Sequence, residues 1–347
     1  MPPLNLSSIT RSFARCYFTA SPAPRHLLTI ADLTPSELTT LVQNAASHKS
    51  AIKAGTQSET FRSALRGQTI GISLSKLSTR TRVSSEAAVA AMGGHPIFLG
   101  KGDIQLGVNE SLRDTSVVIS SMVSGIIARV GPHSDVEGLA QYSSVPVING
   151  LSDKYHPLQA VATFLTMSEA FGKGGKNLGI RGLKMAWVGD ANNVFVDLAI
   201  GAAKLGVDIA VATPEDYRIS DDMRATIKKA ADSVPHAGKL TETMVPEEAV
   251  KGADILVTDT WVSMGQEEET AKRLRAFAGF QINNEMAKKG GAKEGWKFMH
   301  CLPRHPEEVS DEVFYGPRSL VFQEAGNRLW AAISVMEAFV VKKGKFD

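Results

Sequence analysis

Thr69-Ile-Gly-Ile-Ser-Leu-Ser-Lys-Leu-Ser-Thr-Arg-Thr-Arg-Val-Ser-Ser-Glu-Ala-Ala-Val-Ala-Ala-Met92 begins as one kind of structure and ends as another. Residues 69–74 are a short apolar run of the sort a buried strand uses. From about Thr81 to Met92 the pattern is helical, and Gly93-Gly94 closes it. A strand running straight into a helix is half of a βαβ unit. The same alternation continues along the chain, with further strand candidates at residues 96–99, 125–130 and 146–148. A second series follows at 184–188, 207–212, 254–258, 297–300 and 320–322. Strands alternating with helices predict an α/β fold of doubly wound domains, each a parallel β-sheet with helices on both faces. In such sheets ligands sit beyond the carboxyl ends of the strands.

Length and composition agree. A chain of 347 residues favours two domains, each able to bury its own core. Lys+Arg 38 against Asp+Glu 36 leaves a net charge of +2, too little for a general nucleic-acid binder. No apolar run reaches the roughly 20 residues that span a bilayer, so no integral membrane segment is expected. Cys16 and Cys301 cannot build a disulfide scaffold or a cysteine zinc site. Residues 1–31 hold no acid, while Arg11, Arg15 and Arg25 stand among Ser, Thr and apolar residues. That is the composition of a mitochondrial transit peptide, with cleavage between Arg15 and Arg25; a basic tail without an address is the other reading. Folded structure is expected from Thr34-Pro35-Ser36-Glu37, a capping box with proline at the first helical position. Gly172-Lys-Gly-Gly-Lys-Asn177 divides the two strand series, and a last helix is expected over about 327–341.

Ser78-Thr79-Arg80-Thr81-Arg82 sits between the first strand and its helix. Free backbone N–H groups and the positive end of the helix dipole point there to one place. Hydroxyls and planar guanidiniums join them, the guanidinium fork matching two phosphate oxygens at once. A solvated, well-capped helix start would use similar residues. Nothing matches the P-loop G-x-x-x-x-G-K-[ST], and Gly189-Asp190-Ala191-Asn192-Asn193 fails the dinucleotide pattern G-x-G-x-x-G. ATP and NAD therefore lose support.

S-T-R-T-R at a strand-to-helix turn resembles the carbamoyl-phosphate signature of the carbamoyltransferases. Asp259-Thr-Trp-Val-Ser-Met-Gly265 and His300-Cys-Leu-Pro-Arg304 resemble two signatures of the ornithine branch of the aspartate/ornithine carbamoyltransferase family. The resemblance runs from about Leu27 to the C-terminal helix. Ser75 and Leu77 stand where relatives often carry an acidic and a basic residue. The resemblance implies a carbamoyl-phosphate domain over 32–170 and an ornithine domain over 171–325. A C-terminal helix, within 326–347, would return to the first domain.

It also implies roles. Ser78, Thr79, Arg80, Thr81 and Arg129 would hold phosphate. Thr81, Arg129, His156 and Arg328 would hold the carbamoyl oxygen, with Gln159 and the Leu302 carbonyl on the carbamoyl NH2. Gln105 matches a loop lent to a neighbouring subunit's site, within a homotrimer. Asp259 and Ser263 would receive the ornithine ammonium, Asn193 and the Met264 N–H its carboxylate, and Cys301 would lie beside the side-chain amine. Taken singly, several have plainer readings: His156 as a capping or core histidine, Asp259 as a helix cap, Gln105 as an ordinary polar loop residue.

The implied reaction is attack of the neutral δ-amine of L-ornithine on carbamoyl phosphate, giving L-citrulline and phosphate in arginine biosynthesis or a urea cycle, in the mitochondrial matrix. It calls for no cofactor, no metal and no thiolate nucleophile. Aspartate, putrescine or an N-acylated ornithine are rival acceptors, and an anion-binding subunit without activity is the rival from another class.

Overall fold

The structure is a computed structural model that describes residues 23–100, 102, 110–172, 178–262 and 269–346. The expected transit segment (apart from its last residues), the Gln105 loop, most of the Gly/Lys-rich divider, Ser263 and Met264 lie outside the described residues.

The opening stretch forms β1 (Thr69–Leu74) and a helix, Thr79–Ala91, that starts two residues before its apolar pattern does. Ser78 caps it, its hydroxyl accepting from the Thr81 N–H at 3.2 Å. With β2 (His95–Gly100), β3 (Gly125–Arg129) and β4 (Val147–Leu151), β1 makes a wholly parallel sheet in the order β2-β1-β3-β4. The second sheet holds β5 (Lys184–Val188), β6 (Asp208–Ala212), β7 (Leu240–Thr243), β8 (Ile255–Thr258) and β9 (Lys297–His300). Its strands are parallel in the order β7-β6-β5-β8-β9.

Each sheet reverses its winding once. The reversal falls between β1 and β3 in the first and between β5 and β8 in the second. Those are the crevices where such sheets bind ligands. Register does the rest: Leu74 pairs with Arg129, so the helix mouth after β1 and the Arg129 side chain leave the sheet side by side. Thr258 pairs with His300, so Asp259 and Cys301 emerge together from the other sheet.

Two helices, Pro157–Phe171 and Asn193–Leu205, are buried along most of their length. They approach so closely that a Cβ on Gly201 would lie 2.3 Å from Phe164 Cε2, well inside van der Waals contact. The final helix, Val321–Met336, packs on Pro35–Lys53, Thr79–Ala91 and Pro157–Phe171, all from the first half, and ends in a π-helical turn, Glu337–Val341. Thr34 and Glu37 form the expected reciprocal cap of Pro35–Lys53, at 3.2 and 2.8 Å. Among the described residues no helix is long and apolar enough to cross a membrane.

Two expectations fail. Residues 320–322 make no strand: a single bridge joins Ser319 to Phe298, and the chain turns at once into the final helix. A three-residue apolar run is too short for its periodicity to separate strand from helix. That helix therefore begins six residues earlier than its apolar face suggests, and Arg328 lies in its interior. Conversely, β7 was not expected; it is an edge strand with two of its four side chains exposed, so its sequence shows no apolar run.

Candidate active site

The mouth of the Thr79–Ala91 helix meets three guanidiniums. Arg80 comes from the helix itself, Arg129 from the end of β3, and Arg328 from the final helix. Arg129 and Arg328 are buried, at 7% and 3% exposure. Burial, then the charge of Arg80, draws Arg129 down to about 10. Burial likewise draws Arg328 down to about 10, and the charges of Arg129 and Arg80 act the same way. Like charges gathered out of water repel and lose hydration, so this cluster favours an anion among them.

His156, in the cap position before Pro157–Phe171, joins the cluster. Its ring Nε2 lies 3.2 Å from Arg328 Nη1, and Arg328 Nη1 also donates to Gln159 Oε1 at 3.0 Å. Arg328 Nη2 reaches the Thr81 hydroxyl at 3.5 Å. Burial and the three arginines hold His156 well below the ordinary imidazole range, so it is neutral. A guanidinium only donates; Nε2 therefore accepts, and the single ring proton sits on Nδ1. Nδ1 is buried and has no hydrogen-bond partner among the described residues, and the same holds for Nε of Arg129 and Arg328. The cluster thus carries buried N–H donors left without a partner among the described residues.

The amino-acid side is built differently. Asp259, beyond β8, accepts from the Cys301 thiol at 3.0 Å through Oδ1 and from Asn192 Nδ2 at 2.6 Å through Oδ2. Asn192 caps the Asn193–Leu205 helix, accepting from the N–H groups of Val194 and Phe195. Burial and the Asp259 carboxylate push the Cys301 thiol well up, so it stays protonated and is no nucleophile. Arg80 Nη2 donates to the Leu302 carbonyl at 2.6 Å, bridging the two sides. Leu302 sits at φ 64°, an uncommon conformation for a branched side chain. His300 holds it there, its Nδ1 accepting from the Leu302 N–H at 2.9 Å and its Nε2 donating to Glu308 at 3.1 Å.

Ser78, Arg80, Thr81, Arg129, His156, Gln159 and Arg328 are thus brought to one place, with Leu302, Cys301 and Asp259 adjoining. Thr79, next to the cap, is exposed. The Asn193 amide donates to the Ser152 carbonyl at 2.5 Å. Gln105, Ser263 and Met264 fall outside the described residues. Three participants escaped the sequence reading. Asn192 is the partner of Asp259, and Glu324 binds Gln159 at 3.0 Å. Asp197 accepts the backbone N–H of His156 at 2.8 Å. Only the first had a local signal, the doubled asparagine of Gly189–Asn193.

Two family models cover nearly the whole described chain. "Aspartate/ornithine carbamoyltransferase, carbamoyl-P binding domain" matches residues 25–169 and "Aspartate/ornithine carbamoyltransferase, Asp/Orn binding domain" matches 181–339. The chain belongs to this carbamoyltransferase family. It is 65% identical to the mitochondrial ornithine carbamoyltransferase of Aspergillus niger, over 99% of this chain and 94% of that protein. Among solved structures, the mitochondrial ornithine carbamoyltransferase of Coccidioides immitis is 63% identical. It superposes with a TM-score of 0.88, covering 93% of this chain and 100% of that one. The ornithine carbamoyltransferase of Pyrococcus furiosus, 43% identical, gives 0.84 over 92% and 98%.

Proposed function

We propose that the protein transfers the carbamoyl group of carbamoyl phosphate to the δ-amine of L-ornithine, releasing L-citrulline and phosphate. The observation that carries this reading is the convergence of Arg80, Arg129, Arg328 and neutral His156 at a helix mouth, tied through the Arg80–Leu302 bond to the Asp259–Cys301 pair. A carbamoyl-phosphate dianion meets the charges there, and Asp259 orients the ammonium of a diamino acid.

In this reading Ser78, Thr79, Arg80, Thr81 and Arg129 hold phosphate, and Thr81, Arg129, His156 and Arg328 hold the carbamoyl oxygen. As the amine attacks, negative charge grows on that oxygen and then on the leaving phosphate. Donors already in place stabilise it; one such donor is worth about 10²–10³ in kcat. Gln159 and the Leu302 carbonyl take the carbamoyl NH2. Cys301, a protonated thiol beside Asp259, borders the amine without forming a covalent bond. An amine of this kind ionises near about 10.4; His156 is already neutral and Cys301 still protonated, so turnover rises through mildly alkaline pH on account of the substrate.

Residues 32–170 form the carbamoyl-phosphate domain and 171–325 the ornithine domain, with Ser263, Met264 and Asn193 completing the amino-acid site. The assembly is a homotrimer whose neighbour lends Gln105. In support, six exposed apolar side chains, Leu77, Val83, Ile97, Val117, Val118 and Met122, fall in the sequence on either side of Gln105; others, such as Met244, Val245 and Phe322, lie elsewhere. The protein works in the mitochondrial matrix after loss of its basic leader. Cleavage upstream of Arg25 is supported by the Arg25–Glu37 ion pair at 2.6 Å and the packing of Arg25 on Phe339 and Phe346.

The test is carbamoylation of ornithine, putrescine and aspartate at one fixed carbamoyl-phosphate concentration. Ornithine gives the highest kcat/KM by far; faster reaction of either rival overturns the assignment.

A further inference from the structure

Gln159 is held at both ends. Its Oε1 accepts from Arg328 Nη1 at 3.0 Å, and its Nε2 donates to Glu324 Oε1 at 3.0 Å. The two ends of a glutamine amide are alike in shape and opposite in polarity, so its direction is decided by what it faces. Turned over, it would set NH2 against a guanidinium and C=O against a carboxylate. Burial raises the Glu324 carboxyl, while the donors gathered around it favour its carboxylate form, which accepts at both oxygens. It is fully enclosed, its Oε1 also takes the Thr163 hydroxyl at 2.5 Å, and its Oε2 takes the backbone N–H of His300, which can only donate, at 3.1 Å. Glu324 stands one helical turn before Arg328 on the final helix, so one rigid element carries both holders of the amide.

We infer that Glu324 is a positioning residue that sets the direction of the Gln159 amide and so makes the pocket choose a carbamoyl group over an acyl group. With Glu324 in place, Gln159 turns its carbonyl oxygen toward Arg328 and His156, where the functional reading above, on which this inference rests, puts the carbamoyl group. An oxygen acceptor there bonds the NH2 of carbamoyl phosphate. It gains nothing from the methyl of acetyl phosphate, against which the oxygen keeps only its bond to Arg328 and loses the second one that an NH2 would supply. The carboxylate never touches substrate; its effect passes through Gln159.

The probe is acetyl phosphate, tested as a competitive inhibitor against carbamoyl phosphate on the full-length enzyme. The measured quantity is its inhibition constant divided by the KM for carbamoyl phosphate. Glu324→Gln keeps the shape but sets an amide NH2 against Gln159 Nε2, so that Arg328 alone still fixes the direction of the Gln159 amide and its hold is weakened. The ratio falls about tenfold, mainly because KM for carbamoyl phosphate rises, while acetyl phosphate binds as before. Gln159→Ala lowers the ratio by a similar factor, and the double variant matches Gln159→Ala alone, because a residue that acts through another adds nothing once that one is gone. An unchanged ratio in Glu324→Gln, or losses that multiply in the double variant, would overturn the inference. Should Glu324→Gln fail to fold, Thr163→Val replaces it in the same cycle. It removes the hydroxyl that bonds Glu324 Oε1 and also lies 3.4 Å from Gln159 Nε2, loosening that end of the amide, and lowers the ratio about threefold; no change would count against the inference. Wild-type enzyme that makes no citrulline would instead sink the functional reading itself.

Discussion

The two sides of the crevice handle charge in opposite ways. On the first side, two arginines drawn down to about 10 and a third beside them face a neutral histidine. On the second, acids already have partners: Asp259 has Asn192 and Cys301, and Asp190 has Arg273 at 2.8 Å. The guanidinium side is repulsive by itself and is relieved by an incoming dianion, whereas the carboxylate side is satisfied beforehand and only orients what arrives. Substitutions on the two sides should therefore fail in different ways, the first in the chemical step and the second in the acceptor.

The largest effect tests the first side. Arg328→Met removes the donor to Gln159, His156 and Thr81 together, and kcat should fall by about 10³ or more, on the scale of lost oxyanion donors. Steady-state citrulline formation checks it, with circular dichroism to show an intact fold. Next, Asp259→Asn keeps the shape of the second side but removes the charge. KM for ornithine should rise about a hundredfold, the order of a lost buried charge partner, while KM for carbamoyl phosphate moves less than threefold. If both constants rise together, the two sides are not independent in the way proposed.

The smallest effect concerns the seam between the sides. Asp197, on the Asn193–Leu205 helix, is fully buried, and burial raises its carboxyl to about 7. It accepts from the Thr29 hydroxyl at 2.6 Å, the Ile30 N–H at 2.8 Å and the His156 N–H at 2.8 Å. Because the folded state holds this proton more tightly than the unfolded chain, the group lowers stability as pH climbs from about 4 to 7. Asp197→Asn lacks that term. Its midpoint of thermal unfolding should gain on wild type by a few degrees between pH 5 and pH 8; a constant difference would show that Asp197 does not titrate there.

Much of the first side was legible because its parts are local. A strand, a cap and Arg80 lie within twelve residues, 69–80, and β1 ends where its apolar run ends; Arg82, expected to join them, pairs instead with Glu86 at 2.9 Å. The second side was legible only in part. Asp259 and Cys301 follow strands directly, yet the choice of Asn192 over Asn193 depends on which of two neighbours caps the helix. Glu324 and Asp197 could not be read at all. Each sits among apolar residues on a buried helix, and their partners are 165 and 168 positions away in the chain. Nothing in the local pattern separates such an acid from one on a solvated face. Edge strand β7 was hidden for the converse reason, since half of it faces water.

The central claim is that the helix mouth with its guanidiniums is where carbamoyl phosphate reacts. Arg80 tests it most directly, being the side chain that also ties that mouth to Leu302 across the crevice. In Arg80→Ala, with the fold intact by circular dichroism, citrulline formation at saturating ornithine should drop below detection. A variant that keeps a tenth of the wild-type kcat would contradict the account.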